Sequence, residues 1–349
     1  MFLNKEREEL LQYVGHMSQI AGAMPFEFKG GRSEGVRGIE VKTGSGFRFT
    51  MLPDRAMDIA HAEFNGRPLA WICQNGIVNP QFFENGGIGF LRSFTGGLLT
   101  TCGLTQVGAN CEDGQEQLGI HGRISHAPAE MVAIDEYWQD EEYIIKISGV
   151  MKETCLYAEN LVLRRTITTK MGESRLWIHD VIVNEGYHET PFMILYHINF
   201  GYPVVSEDSK LYTSSTQVEP WINAKGEPAE GVHDRFQHPQ PDYDYNLFLH
   251  KVPQERDTVY FGIINEALRL GGYVATHPKQ LPRVTEWKMI GQQAYVVAIE
   301  PGNCIPEGRV DARKNNRLST LKPGETYEID TEIGVLENQE SINQFMEMI

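Results

Sequence analysis

The sequence is poor in several features that mark particular classes of protein. Lysine and arginine total 31 against 47 aspartates and glutamates, which gives a formal net charge of −16. This balance argues against nucleic acid and anionic membrane surfaces as partners. No apolar run approaches the roughly 18 residues of a transmembrane helix. The charged residues 1–9 precede no apolar segment, so we expect no secretory signal and a cytoplasmic protein.

Cysteines are few and widely spaced. They are an odd number and form no Cys-x-x-Cys pair: Cys73, Cys102, Cys111, Cys155 and Cys304. This pattern fits reduced thiols better than a disulfide framework or a zinc site. Cys102 could be a nucleophile, although a buried structural thiol is the simpler interpretation. The pair Gly96-Gly97 matches neither a dinucleotide-binding motif nor a P-loop, so we expect no nucleotide site.

Helical periodicity is confined to the N-terminus, and strand signals follow it. Leu10, Val14 and Met17 recur at helical spacing and predict a helix over 4–20. Alternating apolar residues between glycine-rich turns then predict strands, at 47–51, 143–147, 161–167, 176–183, 193–201, 259–264, 272–275, 294–299 and 325–335. Together these signals predict an all-β protein, a large antiparallel β-sandwich with a short N-terminal helix.

The same signals suggest how the chain is divided. We expect an N-terminal helical extension over 1–24 and a single sandwich domain over 25–349, because no linker or internal repeat interrupts the pattern. Residues 219–241 are rich in proline, glycine, histidine and aspartate, which indicates an insertion or a lid.

Two strands carry residues suited to acid–base chemistry. On the strand over 193–201, the apolar face ends in His197 and Asn199, which predicts the wall of a polar pocket. The alternative is a histidine satisfied by a neighbouring carbonyl. Glu300 shares a strand face with Val296 and Ala298, and Pro301 is expected to end that strand. Burial would raise the pKa of Glu300 and make it a better base, whereas a solvated glutamate at a strand end is the alternative.

Further candidates could bind a ligand. Glycines around His121 allow close approach of a ligand or backbone, and Arg123 shares its face if the segment is extended. Arg92 precedes an aromatic residue and a double glycine, and Lys288 follows Trp287. Basic groups and aromatic faces of this kind suit a sugar, whose faces are apolar and whose rim is polar. The expected substrate-binding residues are Arg92, His121, Arg123, Lys288 and Asn199.

Taken in order, these motifs resemble those of the aldose 1-epimerases, or galactose mutarotases. They resemble more closely a less characterised aldose-1-epimerase-like branch of that superfamily. The likeness covers roughly residues 35–335 and is carried by Arg92-Ser-Phe-Thr-Gly-Gly-Leu, Ile120-His121-Gly122, Tyr196-His197-Ile-Asn199-Phe-Gly201 and Ile299-Glu300-Pro301. The resemblance implies a supersandwich of antiparallel sheets and an isomerase that interconverts the anomers of a free or modified sugar.

The resemblance also implies roles for individual residues. Glu300 would be the general base that takes the proton of the C1 hydroxyl, and His197 the general acid that protonates the ring oxygen. This pairing requires a sugar-sized gap between the two groups. Arg92 and His121 match positions that bind sugar oxygens, and neither a metal nor a cofactor is implied. One departure is that residues 265–272 contain no aspartate where the mutarotases carry a hexose-binding one. That absence puts glucose or galactose specificity, and mutarotation itself, in question.

Two other functions stay open from the sequence. One is a carbohydrate-binding or sensing protein that has lost turnover. The other is a different sugar reaction, an isomerisation or a lyase reaction, with a metal on His121, His197 and Glu300. In each case the expected partner is a small-molecule carbohydrate, and a homodimer is left open.

Overall fold

The computed structural model describes residues 5–349, so the first four residues of the predicted N-terminal extension lie outside the described part. Strands account for 48% of the residues and helices for 11%, which confirms the all-β prediction. In chain order the strands are β1 Gly22–Glu27, β2 Arg37–Lys42, β3 Phe47–Leu52, β4 Asp58–Phe64, β5 Arg67–Pro68, β6 Leu99–Leu104, β7 Cys111–Asp113, β8 Glu116–Leu118, β9 Glu130–Gln139, β10 Glu142–Thr154, β11 Asn160–Lys170, β12 Arg175–Asn184, β13 Thr190–Gly201, β14 Ser209–Thr213, β15 Gln217–Asn223, β16 Asn246–Lys251, β17 Val259–Asn265, β18 Leu270–Thr276, β19 Arg283–Ile290, β20 Tyr295–Gly302, β21 Ser319–Leu321 and β22 Thr326–Leu336. The α-helices are α1 Arg7–Leu10, α2 Gly89–Ser93, α3 Arg309–Lys314 and α4 Gln339–Met348, and short 3-10 helices occupy Met17–Gln19, Gly31–Ser33, Pro80–Phe82 and Ile124–His126.

Two large sheets form the sandwich. The larger has 12 strands, in the order β1-β2-β3-β4-β6-β13-β20-β19-β16-β15, with β5 on β4 and β21 on β13. The smaller has 8 strands, in the order β14-β17-β18-β22-β12-β11-β10-β9. Strands β7 and β8 form a separate two-stranded sheet. Within residues 5–349, no helix combines the length and the apolar character needed to cross a bilayer.

Strand β13 lies near the middle of the larger sheet, between β6 and β20. Its residues are buried except for one of intermediate exposure, because both of its faces are covered. One face looks into the core between the sheets, where the Tyr196 hydroxyl donates to Asp180 Oδ2 on β12 at 2.5 Å. The other face carries His197 and Asn199, since side chains alternate along a strand. The outer face of the larger sheet therefore holds the candidate polar site.

A buried polar network lies beneath this strand and joins the two sheets. Arg165 on β11 donates to both oxygens of Asp180, at 2.9 and 2.7 Å. It also reaches Asp58 Oδ1 at 3.2 Å and Thr101 Oγ1 at 2.9 Å in the larger sheet. The Arg165 side chain is fully buried. The network satisfies these buried groups and fixes the position of β13 through Tyr196.

The predicted helix over 4–20 is wrong in extent. Within residues 5–20 only Arg7–Leu10 is α-helical, and a separate 3-10 helix spans Met17–Gln19. Gly15 disfavours a continuous helix, and His16 caps the second element by accepting from the backbone N–H of Ser18. Leu10 and Val14 are nevertheless buried in the core, so the periodic apolar residues pack as expected without one continuous helix.

Three further differences concern the C-terminal half. Strand β20 does not end after Glu300 but continues to Gly302, where it pairs with Arg283. Helix α4 was not predicted, although Ile342 and Phe345 on one of its faces are buried. The predicted insertion over 219–241 begins as strand β15 before it becomes a loop.

Candidate active site

The centre of the outer face is a direct contact between a histidine and a glutamate. Antiparallel pairing of Ile198 with Ile299 places His197 on β13 beside Glu300 on β20. His197 Nε2 lies 3.0 Å from Glu300 Oε1. The two residues are only 5% and 2% exposed. The prediction of a sugar-sized gap between them is therefore wrong for this structure, in which the two side chains are in direct contact.

Asn199 fixes the orientation of the histidine ring. Its Nδ2 donates to the carbonyls of Gly97 and His197, at 2.9 and 3.0 Å. Its Oδ1 consequently accepts from His197 Nδ1–H, at 2.6 Å. With Nδ1 holding a hydrogen, Nε2 is the ring nitrogen that can take up or release a proton, and it lies 3.0 Å from Glu300 Oε1. All of the amide's hydrogen-bonding atoms are used within the protein, so Asn199 positions His197 rather than presenting free groups to a ligand.

Burial sets the protonation state of both side chains. It lowers the pKa of His197 to about 3, and the neighbouring His121 lowers it further while the hydrogen bond with Asn199 opposes the shift. It also raises the pKa of Glu300 well above its usual value. Both shifts disfavour charge, so the closed pair holds a neutral histidine and a protonated glutamic acid.

Aromatic rings enclose the pair. The centroid of the His197 ring lies 5.5 Å from Phe94 and 5.4 Å from Trp287. Trp71 is 6.0 Å from Trp287 and extends the aromatic wall. Sequence reasoning missed Trp71, although Gly201 offered a signal: a Cβ there would lie 2.9 Å from the Trp71 backbone. A glycine at this position lets the segment carrying Trp71 pass close to β13.

His121 joins the same cluster from a tight turn. Its ring centroid is 5.7 Å from that of His197. His121 and Gly122 both have positive φ, 58° and 73°, so the segment is not extended and Arg123 does not share the face of His121. A Cβ at Gly122 would lie 2.4 Å from the carbonyl oxygen of Gly103. Burial lowers the pKa of His121 to about 4.

Three of the predicted substrate-binding residues do not reach the pair. The Arg92 side chain on α2 is 62% exposed, and its Nε lies 3.6 Å from Glu84 Oε2. Arg123 donates to Glu116 at 3.2 Å, beside a separate surface cavity of about 850 Å³. Lys288 lies on the face of β19 opposite Trp287 and donates to backbone carbonyls of the loop before β16. The structure thus unites His197, Glu300, His121 and Asn199, and leaves these three cations elsewhere.

The structure also locates three other features that the sequence singled out. Cys102 is fully buried, and burial raises its thiol pKa well above the usual value, which fits a structural thiol. His126 is buried, and its ring contacts Arg55 and Ser93 at 3.1 and 2.9 Å, as a structural histidine would. Residues 265–272, which lack the expected aspartate, contain the β17–β18 turn of the smaller sheet.

Two buried atoms in the cluster have no hydrogen-bond partner among residues 5–349: Glu300 Oε2 and His121 Nδ1. Unpaired buried polar atoms are uncommon in folded proteins. Together with the proton on Glu300, they give the site one movable proton and two free polar atoms inside an aromatic enclosure. This arrangement can give a proton to a small polar molecule and take one from it, and it needs no charged group from the solvent to do so.

Solved structures share this fold. A Klebsiella pneumoniae protein, provisionally described as an aldose 1-epimerase, aligns with a TM-score of 0.87 at 23% identity and covers 95% of this chain and 89% of its own. A galactose mutarotase-like protein from Clostridium acetobutylicum gives 0.63 at 14% identity, with 91% and 99% covered. Galactose 1-epimerase from Lactobacillus acidophilus gives 0.56 at 14%, with 90% and 98% covered.

These likenesses establish the galactose mutarotase-like fold and confirm the predicted supersandwich. No curated protein matches the chain. A family model described as a domain of unknown function, DUF4432, matches residues 33–335. That range includes every member of the His197–Glu300 cluster and all strands of the two large sheets except β1 and the last residue of β22. The chain therefore belongs to the DUF4432 family, a less characterised branch within the galactose mutarotase-like fold.

Proposed function

We propose that this protein interconverts the anomers of a free or modified sugar by acid–base ring opening and closure. The observation that carries the proposal is the 3.0 Å contact between His197 Nε2 and Glu300 Oε1 in a buried aromatic pocket. Anomer exchange needs one group to take the proton of the C1 hydroxyl while another protonates the ring oxygen. These two oxygens are bonded to the same carbon, so a donor and an acceptor that lie side by side can serve both.

The direction of proton transfer follows from the charge state of the pair. In the closed site the Glu300 carboxyl group is protonated, because burial raises its pKa. For Glu300 to act as base and His197 as acid, that proton must first move to His197 Nε2. Hydroxyl groups of a bound sugar that donate to the carboxylate would stabilise its charged form and favour this move. The free Glu300 Oε2 atom is available for such a hydrogen bond.

A sugar reaches the pair only if the cover opens. Phe90 lies 5.3 Å from His121, and Phe94 lies over His197, so α2 and its C-cap form part of the lid. A Cβ at Gly86 or Gly87 would meet nothing within 4 Å, so that end of the lid borders open solvent. We propose that residues 86–94 swing outward to admit the sugar and then exclude water.

Anomer exchange measured by NMR tests the proposal. Freshly dissolved α-anomers of several aldoses should equilibrate faster with the wild-type protein. Glu300→Gln and His197→Ala should each lose about 100-fold or more of the acceleration, the usual contribution of a general acid or base. His179→Ala is the matched control, because His179 pairs with Asp330 at 2.8 Å on the exposed surface of the smaller sheet. No acceleration for any sugar, or acceleration that survives Glu300→Gln, would overturn the proposal.

A binding protein without turnover is the second candidate, and the closed state of the pair favours it. Such a protein would gain thermal stability from a sugar without changing the rate of anomer exchange. A thermal-shift screen on the same sugars, run beside the NMR assay, separates the two functions. A sugar that raises the melting temperature but exchanges at the uncatalysed rate supports binding alone.

A further inference from the structure

A second cluster of metal-binding side chains lies on the opposite face of the larger sheet. His250 on β16 and Glu286 on β19 are joined by His233 from the loop between β15 and β16. His250 Nε2 lies 3.1 Å from Glu286 Oε2, and His233 Nδ1 lies 3.2 Å from the same oxygen. One ligand atom from each of the three residues lies within 4.8 Å of the other two.

This face is separate from the His197–Glu300 site. Pairing of Thr285 with Glu300 places Thr285, and with it Trp287, on the outer face. Glu286 therefore points to the inner face, where His250 contacts Phe261 of the smaller sheet at a ring distance of 5.5 Å. A ligand held here does not share the enclosure of the acid–base pair.

The spacing of the three groups suits a divalent metal. Zinc bonds to histidine nitrogen and carboxylate oxygen at about 2.0–2.2 Å, which in a tetrahedron places ligand atoms roughly 3.4 Å apart. The two histidine nitrogens lie 3.1 and 3.2 Å from Glu286 Oε2, which is close to that ligand–ligand distance. Two imidazoles and one carboxylate are ligands that first-row metals such as Zn²⁺ accept.

Hydrogen bonding alone does not satisfy the cluster. Glu286 is completely buried, and both histidines use only its Oε2 atom. Its Oε1 has no hydrogen-bond partner among the described residues. A buried carboxylate oxygen without a partner is costly. A cation bound by both oxygens of Glu286 and by the two histidines would give Oε1 a partner and remove that cost.

Neighbouring residues orient the side chains of this cluster, as residues around a metal site orient the metal-binding side chains. The Ser215 hydroxyl contacts His250 Nδ1 at 2.9 Å, which orients the ring so that Nε2 points to Glu286. The Lys288 ammonium donates to the carbonyls of Val232 and Arg235, at 2.7 and 2.6 Å, and so anchors the loop on both sides of His233. Because this ammonium shares the face of Glu286, its charge opposes a divalent cation and weakens the site.

We propose that His233, His250 and Glu286 bind a divalent first-row metal ion, with Zn²⁺ the best match to the ligands. The side chain of His233 is 26% exposed, which gives the ion a route from solvent and an open coordination position. The metal would tie the loop over 224–245 to β16 and β19. Its role is structural, because the acid–base pair lies on the other face of the sheet.

The test uses the full chain stripped of metal with a chelator and then titrated with ZnCl₂. We expect Zn²⁺ to raise the melting temperature and Co²⁺ to produce a visible absorption band of the bound ion. His233→Ala and Glu286→Gln should abolish both signals. Ser215→Ala should weaken binding about 10-fold, as loss of an outer-shell partner commonly does.

Two controls keep the outcome decisive. His238 lies in the same loop, 81% exposed and paired with Glu207, so His238→Ala should bind both metals as the wild type does. His197→Ala reports on metal at the other site. The proposal is wrong if Zn²⁺ and Co²⁺ give no signal with the wild type. It is equally wrong if the signals persist in His233→Ala or disappear in His197→Ala. The result does not depend on any sugar activity.

Discussion

Replacing Arg165 with methionine should destabilise the protein strongly. Its guanidinium lies between the two sheets with an entirely buried side chain, bonded to Asp180 at 2.9 and 2.7 Å and to Asp58 at 3.2 Å. Methionine fills much of the same volume but leaves two carboxylates in the interior without their cation. Removal of one partner from a buried ion pair usually costs about 3–5 kcal/mol. We expect a loss in that range for Arg165→Met at neutral pH.

The neighbouring arginine provides the control. Arg164 is on the same strand, but its side chain is 49% exposed and pairs with Glu185 at the surface. Exposed pairs contribute about 0–1 kcal/mol, so Arg164→Met should have little effect. Urea denaturation of both variants, analysed by midpoint and slope, gives the two free energies of unfolding. A loss for Arg165→Met below about 1 kcal/mol, or one equal to that of Arg164→Met, would refute the reasoning.

The pH dependence of the variant offers a second measurement. Burial already raises the pKa of Asp58 to about 6, and Arg165 opposes that rise. Without the arginine, the folded-state pKa of Asp58 rises further above its unfolded value. The native variant then binds a proton that the unfolded chain releases, and its stability increases as the pH falls. The deficit of Arg165→Met should therefore be smaller near pH 5 than near pH 8.

Two further predictions concern the turn that carries His121. Gly122→Ala should destabilise more than Gly114→Ala, because both glycines have positive φ, 73° and 67°, but only at Gly122 would a Cβ meet backbone, at 2.4 Å. We expect the steric part to add about 1–3 kcal/mol in urea denaturation, and equal losses would contradict the geometry. His121→Gln should flatten the acid side of the stability curve. Burial lowers the pKa of His121 to about 4. Between about pH 6.5 and 4 the unfolded chain therefore binds a proton that the native protein does not, and the protein becomes less stable as the pH is lowered through that window. The substitution should remove up to about 1.4 kcal/mol per pH unit of that slope in thermal unfolding, and an unchanged slope would show that His121 is not buried as a neutral group.

The central acid–base pair and its strands could be predicted because their signals are local. Alternation along β13 placed His197 and Asn199 on one face, and alternation along β20 placed Glu300 after small apolar residues. Their contact needs the antiparallel pairing of Ile198 with Ile299, which neither segment encodes alone. The resemblance to the aldose 1-epimerases matched His197 with Glu300, but across a sugar-sized gap and not in direct contact.

The other site predictions depended on tertiary geometry that local patterns do not contain. Arg92 is next to residues that cover the pair, yet the short helix turns its side chain outward. Lys288 follows Trp287 directly, and for that reason it faces the other side of β19. The contact between His233, His250 and Glu286 joins a loop to two strands, and the spacing of these residues in the sequence does not predict it. Trp71 was missed because nothing in its own neighbourhood marks it.

The cover of the acid–base pair comes mostly from one stretch of chain. Trp71, Phe90 and Phe94 all lie outside the strands, whereas His197 and Glu300 lie on strands in the middle of the larger sheet. The central strands are held by the buried arginine network, and loops of this kind accept substitutions and changes in length more readily than strands do. Substitutions in the cover should therefore leave the His197–Glu300 pair in place. Under the proposed function, the choice of sugar would then depend on residues 71–94 more than on the sheet.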